Sequence, residues 1–329
     1  MPITQLDPEA SLLLRRLPEL LPPDGVGQLV TVFDVQGSAP RGPGARMLVV
    51  DRALKAGTIG GGRLEEQAIA GAAKWLANNN DQPLLRRFQL GPDLAQCCGG
   101  VVDVLFERVT HDDVEALRDR LNAGGPLKKT VDDRRLVEHL GPIATVVIFG
   151  GGHVGTALSQ AMAVLPWRVI VVDPRPEWAN RARFVPGVEV ICASPVAMLG
   201  RWGWLGSEAR SKLEAAGAGV GEVVPGPDAS QTHAVVMTHD HGLDRDLADA
   251  LLRVDQRSAF GPLRYVGVIG SKTKIAVLRR RLQDRGLDEA RLDRLTAPIG
   301  LRVDGALIGG KLPGQIAIGV AAQLMQWQG

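Results

Sequence analysis

Cysteine, tyrosine and long apolar runs are scarce in this chain of 329 residues. There are three cysteines and a single tyrosine, Tyr265. Two of the cysteines, Cys97 and Cys98, are adjacent, so we expect no disulfide framework and a reducing compartment. No apolar run is long enough to span a bilayer, and the N-terminal segment lacks the pattern of a signal peptide. These absences predict a cytoplasmic protein with no membrane partner.

An excess of charge of one sign is also lacking. Lysine and arginine total 38 residues against 36 acidic ones, a formal net charge of +2. Nucleic-acid binders usually carry a basic face, so we expect no nucleic-acid partner. A hydrophobic fraction of 45% is that of a globular protein, and the length predicts two domains.

The first domain is predicted to be a smaller mixed α+β domain over residues 1–110. Its predicted helices and strands are Pro8–Leu21, Gln28–Val35, Ala45–Val50, Leu64–Leu76, Leu84–Leu90 and Val101–Val109. Residues 111–143 are polar and charged, and we interpret them as a linker with a helix.

Residues 144–329 alternate apolar strands with helices, which predicts an α/β fold with a Rossmann-like, doubly wound parallel sheet. The predicted strands are Thr145–Phe149, Trp167–Val172, Ala234–Thr238 and Tyr265–Ile269. Residues 207–230 are rich in Gly, Ala and Pro and are predicted to be an irregular insertion.

A G-x-G-x-x-G pattern stands between the first predicted strand of this domain and a helix. Gly150, Gly152 and Gly155 would give a tight turn, close approach of backbone N–H groups to a phosphate, and close helix–strand packing. Asp173, at the end of the next strand, has the spacing of a ribose-hydroxyl acceptor. His153 would face the ligand or cap the turn. The pattern predicts a phosphate-binding site.

Two further loops follow predicted strands of the same sheet. Gly270, Ser271 and Lys272 would combine backbone N–H groups, a hydroxyl and an ammonium in a second anion site. His239 lies in the segment 238–241, at a carboxyl strand end where α/β sheets bind ligands. A metal site there lacks a third convincing ligand, so a ligand-facing loop is favoured over metal, with helix capping as the other interpretation.

Arginines and glycines also cluster in the first domain. Arg41 and Arg46 flank a glycine- and proline-rich loop, and their guanidinium groups suit a phosphate or the polar edge of a pterin. Gly60, Gly61 and Gly62 precede a predicted helix and would form another anion cradle. Solvent-exposed arginines in an ordinary hairpin are the alternative for the first feature.

Gln96, Cys97 and Cys98 precede the glycine pair 99–100. Adjacent thiols are poorly arranged for a structural zinc site, but an accessible thiolate suits soft metals and sulfur exchange. Two buried, inert cysteines are the alternative. Cys192 stands alone and is predicted to be a core residue.

Taken together, these motifs resemble the xanthine dehydrogenase accessory proteins of the XdhC/CoxI type. The segments that carry the resemblance, in chain order, are 37–41, 57–62, 96–100, 150–155, 238–239, 268–271 and 298–301. Arg63 departs from the pattern, because the resemblance implies histidine at this position in many relatives.

The resemblance implies a chaperone that is not itself a catalyst. Such proteins bind the molybdenum cofactor (molybdopterin), protect it while a cysteine desulfurase sulfurates it, and deliver it to an apo molybdenum hydroxylase. Cys97 and Cys98 would then contact the metal end of the cofactor, and the glycine-rich loops would contact its phosphate. A separate nucleotide at the Rossmann loop is a further expectation. A homodimer is also expected.

Two other functions compete with this interpretation. An NAD(P)-dependent oxidoreductase would use His239 or Lys272 as proton donor, yet no Tyr-x-x-x-Lys pair exists in the sequence. A nucleotidyltransferase acting on the cofactor is a third, weaker hypothesis.

Overall fold

The structure is a computed structural model that divides into two compact units, Met1–Gly141 and Pro142–Gly329. It describes residues 4–5, 8–21, 25–77, 82–91, 99–123, 126–131, 133–139, 142, 144–217, 220–224, 226–254, 262–304, 306–307 and 310–326.

The N-terminal unit is built on a five-stranded antiparallel sheet of order β4-β3-β2-β6-β5. Its elements are β1 (Thr4–Gln5), α1 (Pro8–Leu20), β2 (Gly27–Gln36), β3 (Arg46–Val50), β4 (Ala53–Gly57), α2 (Gly62–Ala77), β5 (Leu84–Gln89), β6 (Val101–Val109), α3 (His111–Ala123), β7 (Pro126–Val131) and β8 (Arg134–His139). Side chains alternate along the strands, so Met47 packs toward α2 on one face while Leu48 packs toward α1 and α3 on the other.

Residues 111–143, predicted to be a linker with a helix, contain that helix as α3, but the rest of the described stretch is part of the N-terminal unit. This stretch contains α3 and the β7–β8 hairpin, and β8 also pairs in parallel with β1. The hairpin is polar in sequence because ion pairs attach it to the main sheet. Arg134 reaches Asp103 of β6 at 2.6 Å, and Lys129 pairs with Glu107 of the same strand.

The C-terminal unit is a six-stranded parallel sheet of order β11-β10-β9-β12-β13-β14, which is the 3-2-1-4-5-6 order of a Rossmann fold. Its elements are β9 (Ala144–Phe149), α4 (His153–Ala163), β10 (Trp167–Asp173), β11 (Val188–Cys192), α5 (Pro195–Arg201), α6 (Ser207–Ala215), β12 (Thr232–Val236), α7 (His241–Leu252), β13 (Tyr265–Val268), α8 (Lys272–Asp284), α9 (Glu289–Leu292), β14 (Leu295–Thr296), β15 (Arg302–Val303), β16 (Ala306–Leu307) and α10 (Pro313–Gln326). The predicted α/β fold, with a Rossmann sheet after a smaller α+β region, is confirmed.

Apolar cores cover both faces of this sheet. Helices α4 and α10 pack on one face, and α5, α7 and α8 pack on the other. The winding of the sheet therefore reverses between β9 and β12, and the carboxyl ends of these two strands form the switch point where such sheets bind ligands.

Two sequence expectations for this unit fail. The region 207–230 is not wholly irregular, because it opens with α6. Cys192, expected in the core, is exposed at the end of β11, the edge strand of the sheet. None of the helices in the described part of the chain combines the length and the apolar character that a bilayer span requires.

Candidate nucleotide and cofactor sites

The loop Gly150–Gly155 lies at the switch point, between the ends of β9 and β12. The Gly150 N–H donates to the Val172 carbonyl at 2.9 Å, and its φ of +120° favours glycine. A Cβ on Gly150 would overlap the Met237 carbonyl oxygen, and one on Gly155 would overlap the carbonyl oxygen of Gly150. Packing alone therefore demands glycine at these two positions.

Gly152 differs from its neighbours, because a Cβ there would meet no atom within 4 Å. It is the N-cap of α4, and it provides no side-chain hydrogen bond to the first N–H groups of that helix. By contrast, side-chain oxygens of Ser194, Asp240 and Ser271 cap α5, α7 and α8. The α4 terminus thus offers N–H groups and the positive end of a helix dipole to an anion.

Asp173 ends β10 beside this loop and is only 1% exposed. It accepts hydrogen bonds from the Gly151 N–H at 2.8 Å and from the Arg175 backbone at 3.0 Å. Burial raises the pKa of the Asp173 carboxyl, but the hydrogen bonds from Arg175 and Gly151 outweigh it and hold the pKa below its ordinary value. Asp173 is therefore an ionised anchor for the loop, and Arg175 is its ion-pair partner.

An aromatic and cationic cluster that sequence reasoning missed borders the same loop. The guanidinium carbons of Arg183 and Arg175 lie 4.2 and 5.0 Å from the ring centroid of Trp178. His153 meets that ring edge-on at 5.1 Å, and Arg183 also reaches the Thr156 hydroxyl at 3.4 Å. Arg183 adds positive potential beside the uncapped helix, whereas the charge of Arg175 is offset by Asp173. No spacing rule links Trp178 to the glycine loop, so only the fold reveals this cluster.

The other predicted ligand loops of this unit serve their own helices. The Ser271 hydroxyl accepts from the Lys274 N–H, and Asp240 accepts from the N–H groups of residues 242 and 243. His239 and Lys272 are exposed, and Gly270 is half-buried. Among the described residues, no three His, Cys, Asp or Glu side chains converge in a metal-binding group. The capping interpretation therefore accounts for the polar residues that open α7 and α8.

In the N-terminal unit, three of the sequence motifs meet at one end of the five-stranded sheet. We call them the N-terminal loop cluster, which comprises residues 37–41, 58–62 and 99–100. The Gly100 N–H donates to the Ser38 carbonyl at 3.0 Å. A Cβ on Gly60 would lie 2.8 Å from the Cβ of Pro40. The half-buried Arg41 belongs to this cluster.

The prediction that Arg46 holds a ligand is wrong. Arg46 is 1% exposed, and its guanidinium pairs with Glu138 of β8, donates to the Thr31 hydroxyl at 3.1 Å and reaches the Gly44 carbonyl. A charged side chain that is buried away from water needs an opposite charge and hydrogen-bond partners close to it. Arg46 therefore stabilises the N-terminal unit and is closed to a ligand.

The glycine cradle at residues 60–62 already contains an anion. The Glu65 carboxylate accepts hydrogen bonds from the N–H groups of Ile59 at 2.9 Å and Gly61 at 2.8 Å, and from the Thr58 hydroxyl. The chain therefore supplies its own acceptor to this cradle. A phosphate from outside would have to displace Glu65, so the geometry favours the α4 terminus for phosphate. The sequence could have predicted this contact of Glu65, because a Glu three residues after the start of a helix is typical of helix capping.

Gln96, Cys97 and Cys98 lie outside the described residues. Gly99 and Gly100, which complete that motif, place its end in the N-terminal loop cluster. The cofactor and metal roles of the three residues stay predictions.

A six-stranded parallel sheet with a glycine loop leading into α4 defines the C-terminal unit as a Rossmann-like α/β domain. Residues 146–324 match the XdhC Rossmann domain, and residues 27–89 match the XdhC and CoxI family. The first match covers more than half of the chain, so this chain belongs to the XdhC family. The resemblance seen in the sequence is confirmed.

Individual relatives agree with this assignment. The chain is 26% identical over 300 residues to the uncharacterized protein YqeB of Escherichia coli (strain K12), covering 91% of this chain but 43% of that protein. It is 24% identical over 346 residues to a probable xanthine dehydrogenase subunit of Bacillus subtilis (strain 168), covering 91% of this chain and 92% of that one. The crystal structure of a xanthine dehydrogenase from Bacillus halodurans shares the fold, with a TM-score of 0.70 at 23% identity over 97% of this chain and 95% of that one.

Proposed function

We propose that this protein is a maturation factor for a xanthine dehydrogenase-type molybdenum hydroxylase. In this role it binds the molybdenum cofactor, protects it while a cysteine desulfurase sulfurates it, and inserts it into the apo-enzyme. Membership of the XdhC family supports a role in maturation, and the name of the B. subtilis relative links the proposal to xanthine dehydrogenase. The proposal makes the chain a carrier, acting in the cytoplasm as a homodimer.

The phosphate-bearing part of a ligand fits the C-terminal unit. The observation that carries this step is the open space at Gly152, where helix α4 begins without a side-chain cap. Three or more terminal N–H groups with Arg183 nearby suit a phosphate oxyanion. We propose that this loop holds the phosphate of a separate nucleotide.

The N-terminal loop cluster is proposed to hold the pterin and metal end. Arg41 would donate hydrogen bonds to a polar pterin edge, because a planar guanidinium matches paired acceptors. Thiolates at Cys97 and Cys98 would contact the soft metal and sulfur end. When bound, the cofactor supplies a molybdenum centre with an exchangeable sulfur. The residues of the chain would orient it and keep water and oxidants away.

Activation of a client enzyme tests the function. Purified apo-hydroxylase is mixed with this protein after loading with cofactor and sulfuration, and hydroxylase activity is followed. We expect activation with the parent protein and with Lys55→Ala, an exposed cation on β4 that serves as control. Arg41→Ala and the double change Cys97→Ala/Cys98→Ala should lose most of it. Equal activation by all variants would refute the site, and carbonyl turnover with NAD(P) would replace the function by an oxidoreductase.

A further inference from the structure

A second concave site in the C-terminal unit lies beside the glycine loop, from which Thr238 separates it. It is a cavity of about 280 Å³ between the first turn of α7 and the first three turns of α8, next to the end of β13. Val268, Ile275 and Leu278 form its apolar floor, each less than 10% exposed. Its lining shares no residue with Gly150–Gly155. The apolar floor favours a ligand with an apolar body, because burying such a surface is favourable at roughly 25 cal/mol per Å².

The rim of the cavity is cationic. Lys274 and Arg281 stand two turns apart on α8, and Arg245 faces them from α7. The Arg245 charge is offset by Asp246 at 3.1 Å. Among the described residues, no carboxylate lies within ion-pair distance of Lys274 or Arg281. Between these two cations stands Val277, an apolar side chain that is 48% exposed.

One carboxylate, that of Asp244, lies at the inner end of the cavity with its side chain 8% exposed. Its Oδ1 accepts from the Thr238 N–H at 3.1 Å and the Thr238 hydroxyl at 2.7 Å. Its Oδ2 lies 3.7 Å from His241 Nδ1. Burial raises the pKa of Asp244, although the Thr238 hydrogen bonds lower it in part. The hydrogen bonds of Asp244 thus hold the loop before α7. Because this carboxylate lies at the inner end of the cavity, the outer rim keeps a net positive charge.

We propose that this cavity binds a small amphipathic anion, whose apolar body packs on Leu278 and Val277 and whose acidic group lies between Lys274 and Arg281. Carboxylates and phosphate esters share this chemistry. The inference does not depend on cofactor binding by the rest of the protein. The cavity combines two independent features, a buried apolar floor and a rim with two cations that lack a carboxylate partner in the described chain.

The fluorescent anion 8-anilinonaphthalene-1-sulfonate is a suitable probe for the full-length protein. Fluorescence titration gives its affinity, and hydrogen exchange locates it. We expect saturable binding that protects amides of residues 241–247 and 271–282. Arg281→Gln or Lys274→Gln should weaken the probe about tenfold, equivalent to 1.4 kcal/mol. Arg280→Gln removes the same charge from an exposed neighbour outside the cavity and should leave the affinity unchanged.

Competition distinguishes the two sources of the acidic group. Octanoate and octyl phosphate are each titrated against the bound probe, with octanol as the uncharged control, and the stronger competitor identifies the preferred acid. Displacement by octanol as strong as by both anions would overturn the proposal. Protection confined to residues 150–156, or an equal loss of probe affinity in Arg280→Gln and Arg281→Gln, would also overturn the proposal. The absence of saturable probe binding would overturn it as well.

Discussion

The carboxylate of Asp173 accepts hydrogen bonds from two nitrogens of the Arg175 guanidinium, at 2.8 and 2.9 Å, and one from the Gly151 N–H at 2.8 Å. In dinucleotide-binding Rossmann folds an acid at this position holds a ribose hydroxyl. In this protein, Arg175 and the Gly151 N–H already donate hydrogen bonds to the Asp173 carboxylate. A ribose would have to compete with Arg175, which favours a ligand held by its phosphate over one held by its ribose.

Replacing Asp173 by Asn should lower the free energy of unfolding by about 2–3 kcal/mol, because it leaves Arg175 and the Gly151 N–H with a weaker partner. Urea titration measures the change. Glu189→Gln is the matched control, since it breaks the Arg168–Glu189 pair, which is 41% and 47% exposed. That exposed pair should be worth less than about 1 kcal/mol. A loss at Asp173 no larger than the loss in the control would contradict its anchoring role.

The same carboxyl predicts a dependence of stability on pH. The folded protein lowers the pKa of Asp173, so its contribution is present above the ordinary carboxyl pKa of about 4 and is lost as the pH falls through the folded value. The difference in unfolding free energy between parent and Asp173→Asn should therefore shrink below about pH 4. Urea titrations at several pH values test this. A difference that stays constant into the acid range would show that Asp173 is not the ionised partner.

Gly155 and Gly152 should respond in opposite ways to the same added methyl group. Gly155→Ala places a Cβ on the carbonyl oxygen of Gly150, so we expect the C-terminal unit to lose its thermal transition or to unfold at a much lower temperature. Gly152→Ala enters open space at a φ of −64°, so folding should be retained. Its methyl group would occupy the anion position and weaken binding of a phosphate ligand. Scanning calorimetry measures folding, and titration calorimetry with a nucleotide measures ligand affinity. Unchanged ligand affinity in Gly152→Ala would contradict the placement of the anion site at this loop.

Substitutions at Arg46 and Arg41 should distinguish an effect on stability from an effect on cofactor binding in the N-terminal unit. Arg46→Ala leaves Glu138 buried without its cation and should cost about 3–5 kcal/mol. Replacing both partners, as Arg46→Met with Glu138→Leu, should restore part of that loss. Arg41→Ala should cost less stability than Arg46→Ala, because Arg41 is only half-buried, and it should reduce cofactor retention. Chemical denaturation checks the three variants, and a stable Arg46→Ala protein would contradict the buried pair.

Periodic apolar segments made most of the fold predictable from the sequence. Strands such as β9 are apolar throughout because both of their faces are covered, and that pattern indicates a parallel sheet without any structure. Strand β7 escaped prediction because polar segments such as Lys128–Val131 gain their attachment from ion pairs distant in sequence. The edge strand β11 was likewise missed, since it is only partly buried.

The candidate sites were predictable only as local motifs. The glycine loop could be placed between β9 and α4 because its roles depend on adjacent residues. Sequence could not show that Arg46 meets Glu138 or that Trp178 meets Arg183, since long-range packing decides those contacts. Nor did it show that Glu65 occupies the cradle at residues 60–62, although the partners are close in sequence.

Molybdenum analysis of the purified protein tests the central claim most directly. The chain is co-expressed with the cofactor biosynthesis enzymes, passed through gel filtration and analysed for metal and for pterin. We predict that the parent and Lys55→Ala proteins retain molybdenum and pterin in stoichiometric amounts, while Arg41→Ala and Cys97→Ala/Cys98→Ala lose both. A parent protein that elutes without molybdenum and pterin would contradict the account.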